Sequence, residues 1–341
     1  MFTALSLITA GILLRQADRL HFARHTPHTA PARQLLALQR ARANNLTPTL
    51  LLAGQWTQIA GLWLLAAHHP ALAVAAAFGV AVQLRHLQEA SHHAVHGVLA
   101  RTRTANHLLA EALAHLPLGL APVAVRHQRH VRDHHPAATL ATDPNLTDLH
   151  QAGLRPGVSR IRFALALLHP LTPAGAAATL TGLARDLRAH PARQAALLTV
   201  PAAAYLTAGW TGLFAGWLLP RLLLYPLLAW LSLIVEHTWF DPEHRTGPQP
   251  HVEAGRCLRL YPRNRALAAL AAATWLPYGD LHHYAHSAHP GLRWNYLPAL
   301  ERHLPPPHFT PHGLALGAHT VTARHHHALN AVTACEEPVK V

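Results

Sequence analysis

Charge is scarce in this 341-residue chain: Asp, Glu, Lys and Arg make up 13% of it, half is hydrophobic, and the mean hydropathy is +0.11. An ordinary soluble domain carries about twice that charge, so the balance favours a membrane protein. β-Branched residues are few beside the abundant Ala and Leu, which disfavours strands and predicts an all-α fold. Thiols are almost absent. Cys257 and Cys335 are too few and too far apart for a disulfide framework or a thiolate metal site. Acidic residues are also few, 15 against 28 basic ones, for a formal charge of +13 with histidine neutral. In a soluble protein that excess would point to nucleic acid. Aromatics are not interleaved with the arginines as a single-strand binder needs, so no nucleic-acid partner is expected. The arginines instead flank apolar runs, at 15–42, 101–132, 155–193 and 256–302, as the cytoplasmic faces of membrane proteins do.

The apolar runs set the expected architecture. Met1 to Leu14 reaches only about 21 Å as a helix, short of a hydrocarbon core of about 30 Å, and is read as an interfacial helix. It lacks the basic start and small-residue cleavage site of a signal peptide. Leu50 to Ala67, a turn at His68-His69-Pro70, and Ala71 to Leu84 predict a first transmembrane hairpin. Ala195 to Leu219, a turn at Pro220-Arg221, and Leu222 to Val235 predict a second. Both return legs are short, so their helices are expected to continue beyond the bilayer, carrying His92 to His96 and Glu236-His237 into one juxtamembrane layer. Phe163 to Ala184 is uncharged but interrupted by Pro170, Pro173 and Gly175, and is read as lying on or re-entering the membrane. The organisation expected is a basic interfacial arm (1–46), a membrane domain (47–303) and a poorly ordered tail containing His and Pro (304–341). Two hairpins place the basic stretches on one side, the cytoplasmic one, beneath a helical cap.

Histidine is the abundant reactive residue, with 32 copies, and neutral imidazole is well suited to holding iron, zinc or copper. His92 and His96 are four residues apart and share a helical face. His130 and His134 repeat that spacing, and His135 adds a neighbour turned by about 100°; Asp133 is a candidate to orient one of these rings. In Asp280-Leu-His282-His283-Tyr-Ala-His286-Ser-Ala-His289, the residues His282, His286 and His289 lie on one stripe and His283 with His286 on another. His237, with Glu236 before it, sits where the second hairpin meets the polar layer.

Three histidine clusters separated by hydrophobic hairpins resemble the membrane fatty acid desaturase superfamily, which includes hydroxylases and carotenoid ketolases. The first box matches His92-x3-His96-Gly97, with Asn106 following. Leu116-Pro117-Leu118-Gly119 leads to the second, His130-x3-His134-His135, followed by Asp143-Pro144-Asn145. The extra histidine before the third box is similar to His237. The third departs from the pattern: His283-x2-His286 matches, but Ser287 stands where a final histidine is usual, leaving His282 or His289 to replace it.

The resemblance implies a non-haem di-iron oxidoreductase that uses O₂ on an unactivated C–H bond, with His92, His96, His130, His134, His135, His237, His282, His283 and His286 as metal ligands. Glu89, Asp133, Glu236 and Asp280 are candidate outer-shell carboxylates. It further implies a lipid or acyl substrate entering from the bilayer, with Trp239, Phe240, Trp275 and Tyr278 as candidate tunnel residues. A separate electron donor of ferredoxin, flavodoxin or cytochrome b5 type is expected to dock on the basic face. Hydroxylation or ketone formation at the same centre remains open beside desaturation. A zinc-dependent membrane hydrolase is a further alternative, because histidines on membrane helices also suit one zinc.

Overall fold

Apolar sequence with little to break it becomes long helix. α1 (Phe2–Ala23) is followed by α2 (Ala32–Arg42), and α3 (Leu46–Ala66) and α4 (Pro70–Val95) form the first hairpin. Its turn is fixed by His69, whose Nδ1 accepts from the Ala71 N–H at 3.1 Å, and by Pro70 at the helix start. The computed structural model describes residues 1–190, 192–313, 317 and 319–335. Among these there is no β-strand, only isolated bridges, one of which pairs His237 with Cys257.

α1 is longer than the apolar run that predicted it, and it lies along α3. A Cβ on Gly11 would meet the Gly54 carbonyl at 2.5 Å and one on Gly54 the Gly11 carbonyl at 2.6 Å, so the two backbones touch. The helices are antiparallel, with the Met1 amino group 2.6 Å from His68 Nε2. At the other end Asp18 takes two hydrogen bonds from Arg293, at 2.7 and 3.0 Å, and both residues are buried.

α4 does continue past Leu84. Arg85 sits inside it without ending it, because its guanidinium donates to Glu89 at 2.9 Å, Asp280 at 2.5 Å and Ser232 at 2.8 Å. A buried cation is tolerable only with such partners.

The second hairpin turns elsewhere than expected. Helix Ala192–Leu213 breaks at Ala208 and Gly209, where Gly209 has φ +58° and ψ −147°, a conformation that only glycine adopts cheaply. The chain doubles back there, bringing Gly212 against the carbonyl of Ala204 and Trp210 against Tyr205. Pro220 does not turn the chain. Two π-helical segments, Phe214–Leu218 and Pro220–Leu224, carry the helix through it into Tyr225–Glu236, the wider turns accommodating a residue with no N–H.

Three stretches are long and apolar enough to cross a membrane: Leu46–Ala66, Pro70–Val95 and Arg193–Glu236. Arg103–Leu118 and Val123–Ala137, bent by 95°, form a further broken candidate. The 163–184 region is divided as its prolines predict, into Arg160–Leu167, a 3₁₀ turn His169–Leu171 and Pro173–Ala189. The tail expected to be loose contains helix Val321–Cys335, docked through His325 Nε2 on the Ile234 carbonyl at 2.9 Å and through buried Val321 and Leu329. Residues 314–316, 318 and 336–341 of that tail lie outside the described residues.

Candidate metal centre

Four segments deliver the histidines. α4 brings His92 in its last turn, and His96 caps it before Gly97 reverses the chain at φ +75°. Helix Val123–Ala137 carries the second box on a π-helical segment, Gln128–His134. Its wider turn separates His130 from His134, which ordinary helical spacing would place on one face. His130 instead stands with His135, ring centroids 4.6 Å apart, while His134 turns to His237 and Asp143. His237 is held by its bridge to Cys257, and helix His283–Ala288 supplies the last pair.

The rings collect in two adjoining pockets. In the first, the ligand nitrogens of His92, His96, His130 and His286 lie within 4.8 Å of one another. His92 Nε2 is 2.6 Å from His130 Nε2 and 3.2 Å from His96 Nε2, and His135 Nε2 is 3.3 Å from His96 Nε2. In the second, His134, His237 and His283 meet the same criterion, with His237 and His283 facing each other Nε2 to Nε2 at 3.1 Å. Each of the second and third boxes is shared between the pockets: His130 and His134 are 5.3 Å apart by ring centroid, His283 and His286 5.6 Å.

Behind the rings stand proton acceptors. Glu89 Oε1 is 2.6 Å from His92 Nδ1, and the buried Asp143 holds His134 Nδ1 with oxygens at 3.0 and 3.1 Å. Cys257 Sγ is 3.2 Å from His237 Nδ1, with Glu253 3.5 Å behind it. Asp280 lies 3.7 Å from His283 Nδ1, and Glu236 reaches the other nitrogen of that ring at 3.9 Å. A ring whose Nδ1–H is donated outward turns an Nε2 lone pair inward, so the short Nε2 contacts oppose lone pairs and repel unless a cation lies between them. His134 Nε2 and both His286 ring nitrogens are buried without a hydrogen-bond partner, which is costly unless they coordinate something. The residues present fit a pair of metal ions.

Electrostatics agree. Burial, and then the neighbouring imidazoles, hold His237 and His286 well below the ordinary histidine range, in the neutral form that binds metal. At His283 burial acts in the same direction, but Glu236 and Asp280 outweigh it and move the ring upward. Asp280, although buried, is held low by Arg85 and His283.

Some expected residues fall outside. His282 turns away, its Nδ1 3.1 Å from Glu301 Oε2, and neither it nor His289 joins a pocket. Asp133 is exposed and accepts from Gln128 Nε2 at 2.9 Å instead of orienting a ring. Asp143, Cys257 and Glu253 were not anticipated as ring partners. The Asp143-Pro144-Asn145 run carried a signal, since Asp143 caps helix Pro144–Gln151 just after the second box; Cys257 carried none, because only the bridge brings it to His237.

A cavity of about 410 Å³ opens on the first pocket, lined by His92, His130, Arg126, Trp230, Leu233 and Glu236 among others. Trp230 is its aromatic wall; none of Trp239, Phe240, Trp275 and Tyr278 lines it. Trp239 packs instead on His237, ring centroids 4.8 Å apart.

Fold and site together define a class: an all-α membrane protein with paired histidine pockets where its long helices end. The chain belongs to the fatty acid desaturase family, whose sequence pattern matches residues 67–319, well over half of it. With its apolar helices, that makes it an integral membrane protein and an oxidoreductase. No curated protein matches the chain.

Proposed function

We propose that this chain is an O₂-dependent di-iron fatty acid desaturase, with one iron in each histidine pocket. The observation that carries the reading is the pair of adjoining pockets in which buried imidazole nitrogens converge without hydrogen-bond partners. His92, His96, His130, His135 and His286 hold one metal and His134, His237 and His283 the other. Two irons, when bound, supply the activation of O₂ that no side chain provides.

The protein's own part is orientation and exclusion of water. Glu89 and Asp143 fix the protons of His92 and His134 on Nδ1, setting the tautomer and raising ligand basicity. Asp280, 3.7 Å from His283 Nδ1, and Glu236, 3.9 Å from its Nε2, place negative charge on either side of that ring. The acyl chain of a bilayer lipid or thioester lies in the cavity walled by Trp230 and Leu233, beside His92 and His130. Electrons come from a separate acidic donor of ferredoxin, flavodoxin or cytochrome b5 type on the arginine-rich cytoplasmic face.

The test is metal analysis of the detergent-purified protein with substitution of His130, His134 and His135, coupled to product mass spectrometry. About two irons per chain, lost with activity in the variants, and a product lighter by two hydrogens are expected. A product heavier by one oxygen would make it a hydroxylase; bound zinc with O₂-independent turnover would make it a hydrolase and end the di-iron reading.

A further inference from the structure

A second cavity, of about 950 Å³, lies away from both histidine pockets, between α1 and the segment carrying the third box. One part of its wall is apolar, with Ile12, Leu51, Ala272 and Leu276; the other carries three guanidinium groups, Arg15, Arg19 and Arg302. The only carboxylate in the lining, Asp18, is already matched by its buried pair with Arg293. Arg15 and Arg302 use only Nε, toward the Tyr278 hydroxyl at 3.1 Å and the His28 carbonyl at 2.7 Å. Arg19 is exposed and has no acidic partner among the described residues. Three positive charges thus stand at a site where, among the described residues, no carboxylate is left to balance them.

The place of the cavity narrows what balances them. α1 runs antiparallel to the span candidate α3, with Arg15 beside Gly54, so the arginines sit toward the Leu46 end of α3, where the chain enters it. Ile12 and Leu13 on α1, and Leu267 and Leu270 on helix Arg265–Ala273, remain exposed around it. A ligand with an acyl chain for the apolar wall and a negative head for the arginines, available from the bilayer itself, satisfies both halves.

We infer that this cavity binds an anionic glycerophospholipid, its phosphate between Arg15, Arg19 and Arg302 and one acyl chain along Ile12, Leu51 and Leu276. Its inner wall is formed by Tyr278, Gly279 and Trp294. The Tyr278 carbonyl is 2.9 Å from His93 Nε2, and the Trp294 ring packs 4.8 Å from the same histidine. The bound lipid therefore buttresses the segment that presents His283 and His286, and does so whatever reaction the metals support.

The experiment is thermal unfolding of the full chain in neutral detergent with dioleoylphosphatidylglycerol, dioleoylphosphatidylcholine or inorganic phosphate. A ligand that binds only the folded state raises Tm in proportion to its affinity. Phosphatidylglycerol is expected to raise it by several degrees, while the other two leave it nearly unchanged. The exposed pair R19Q/R302Q should lose most of that rise, whereas R33Q/R40Q, which removes the same charge from α2, should keep it. No rise with phosphatidylglycerol, an equal rise with phosphatidylcholine or with phosphate, or an undiminished rise in R19Q/R302Q would each overturn the inference.

Discussion

His134 Nδ1 is gripped by both oxygens of Asp143, at 3.0 and 3.1 Å, and neither residue is exposed. Asp143 is itself held by the N–H groups of Thr139 at 3.0 Å and Asn145 at 2.9 Å. This carboxylate therefore decides which nitrogen of His134 faces the second pocket. Asp143→Asn keeps the size but weakens the acceptor, and loss of such a partner costs roughly 10- to 100-fold in metal affinity or activity. Iron titration of the purified variant checks it; wild-type affinity would show that Asp143 merely caps its helix.

The two pockets should empty separately. His286→Ala is expected to lower iron from about two to about one per chain through the first pocket, and His237→Ala through the second, each with activity lost. His282→Ala, which touches Glu301 and no pocket, should retain both irons. Elemental analysis of the three proteins decides, and an iron loss in His282→Ala equal to the others would return that residue to the ligand set.

Gly11→Val places carbon where the Gly54 carbonyl stands 2.5 Å away, and overpacking of this kind costs about 1–3 kcal/mol. Gly182→Ala meets open space on an ordinary helix and should be neutral or stabilising by roughly 0.5–1 kcal/mol. Melting temperatures of the pair separate close helix contact from a general effect of losing glycine; equal destabilisation would contradict the contact.

His325 is pushed down to about 4 by burial, which outweighs its hydrogen bond to the Ile234 carbonyl. Between that value and the ordinary histidine range the unfolded chain binds the proton that the folded chain refuses. Its contribution to stability is thus full above about pH 6.5 and lost as pH falls toward 4. A Tm profile should show His325→Gln flatter than wild type across that window; parallel profiles would mean the ring titrates alike in both states.

The first hairpin was legible because Pro70 and the absence of charge before Arg85 are local signals, and α4 carried His92 past the apolar run as its continuity required. The second hairpin was misplaced because a proline was taken for the turn, whereas π-helical turns absorb Pro220 and the reversal uses Gly209. Spacing alone drew attention to the histidines of the three boxes, whereas His237 was singled out only by the family resemblance. The division between pockets was not legible, since ordinary helical periodicity pairs His130 with His134. Nor does spacing show that His282 faces Glu301, or that a bridge joins Cys257 to His237: both depend on strands of chain brought together only by folding.

The π segment Gln128–His134 has one further consequence. Because an extra residue in each turn aligns His130 with His135, the register of this stretch is intolerant of length change. A single deletion there would restore an ordinary helix, rotate everything beyond it by about 100°, and send His135 toward the wrong neighbour. Natural indels among relatives should therefore gather in the connections between the boxes and spare these seven residues.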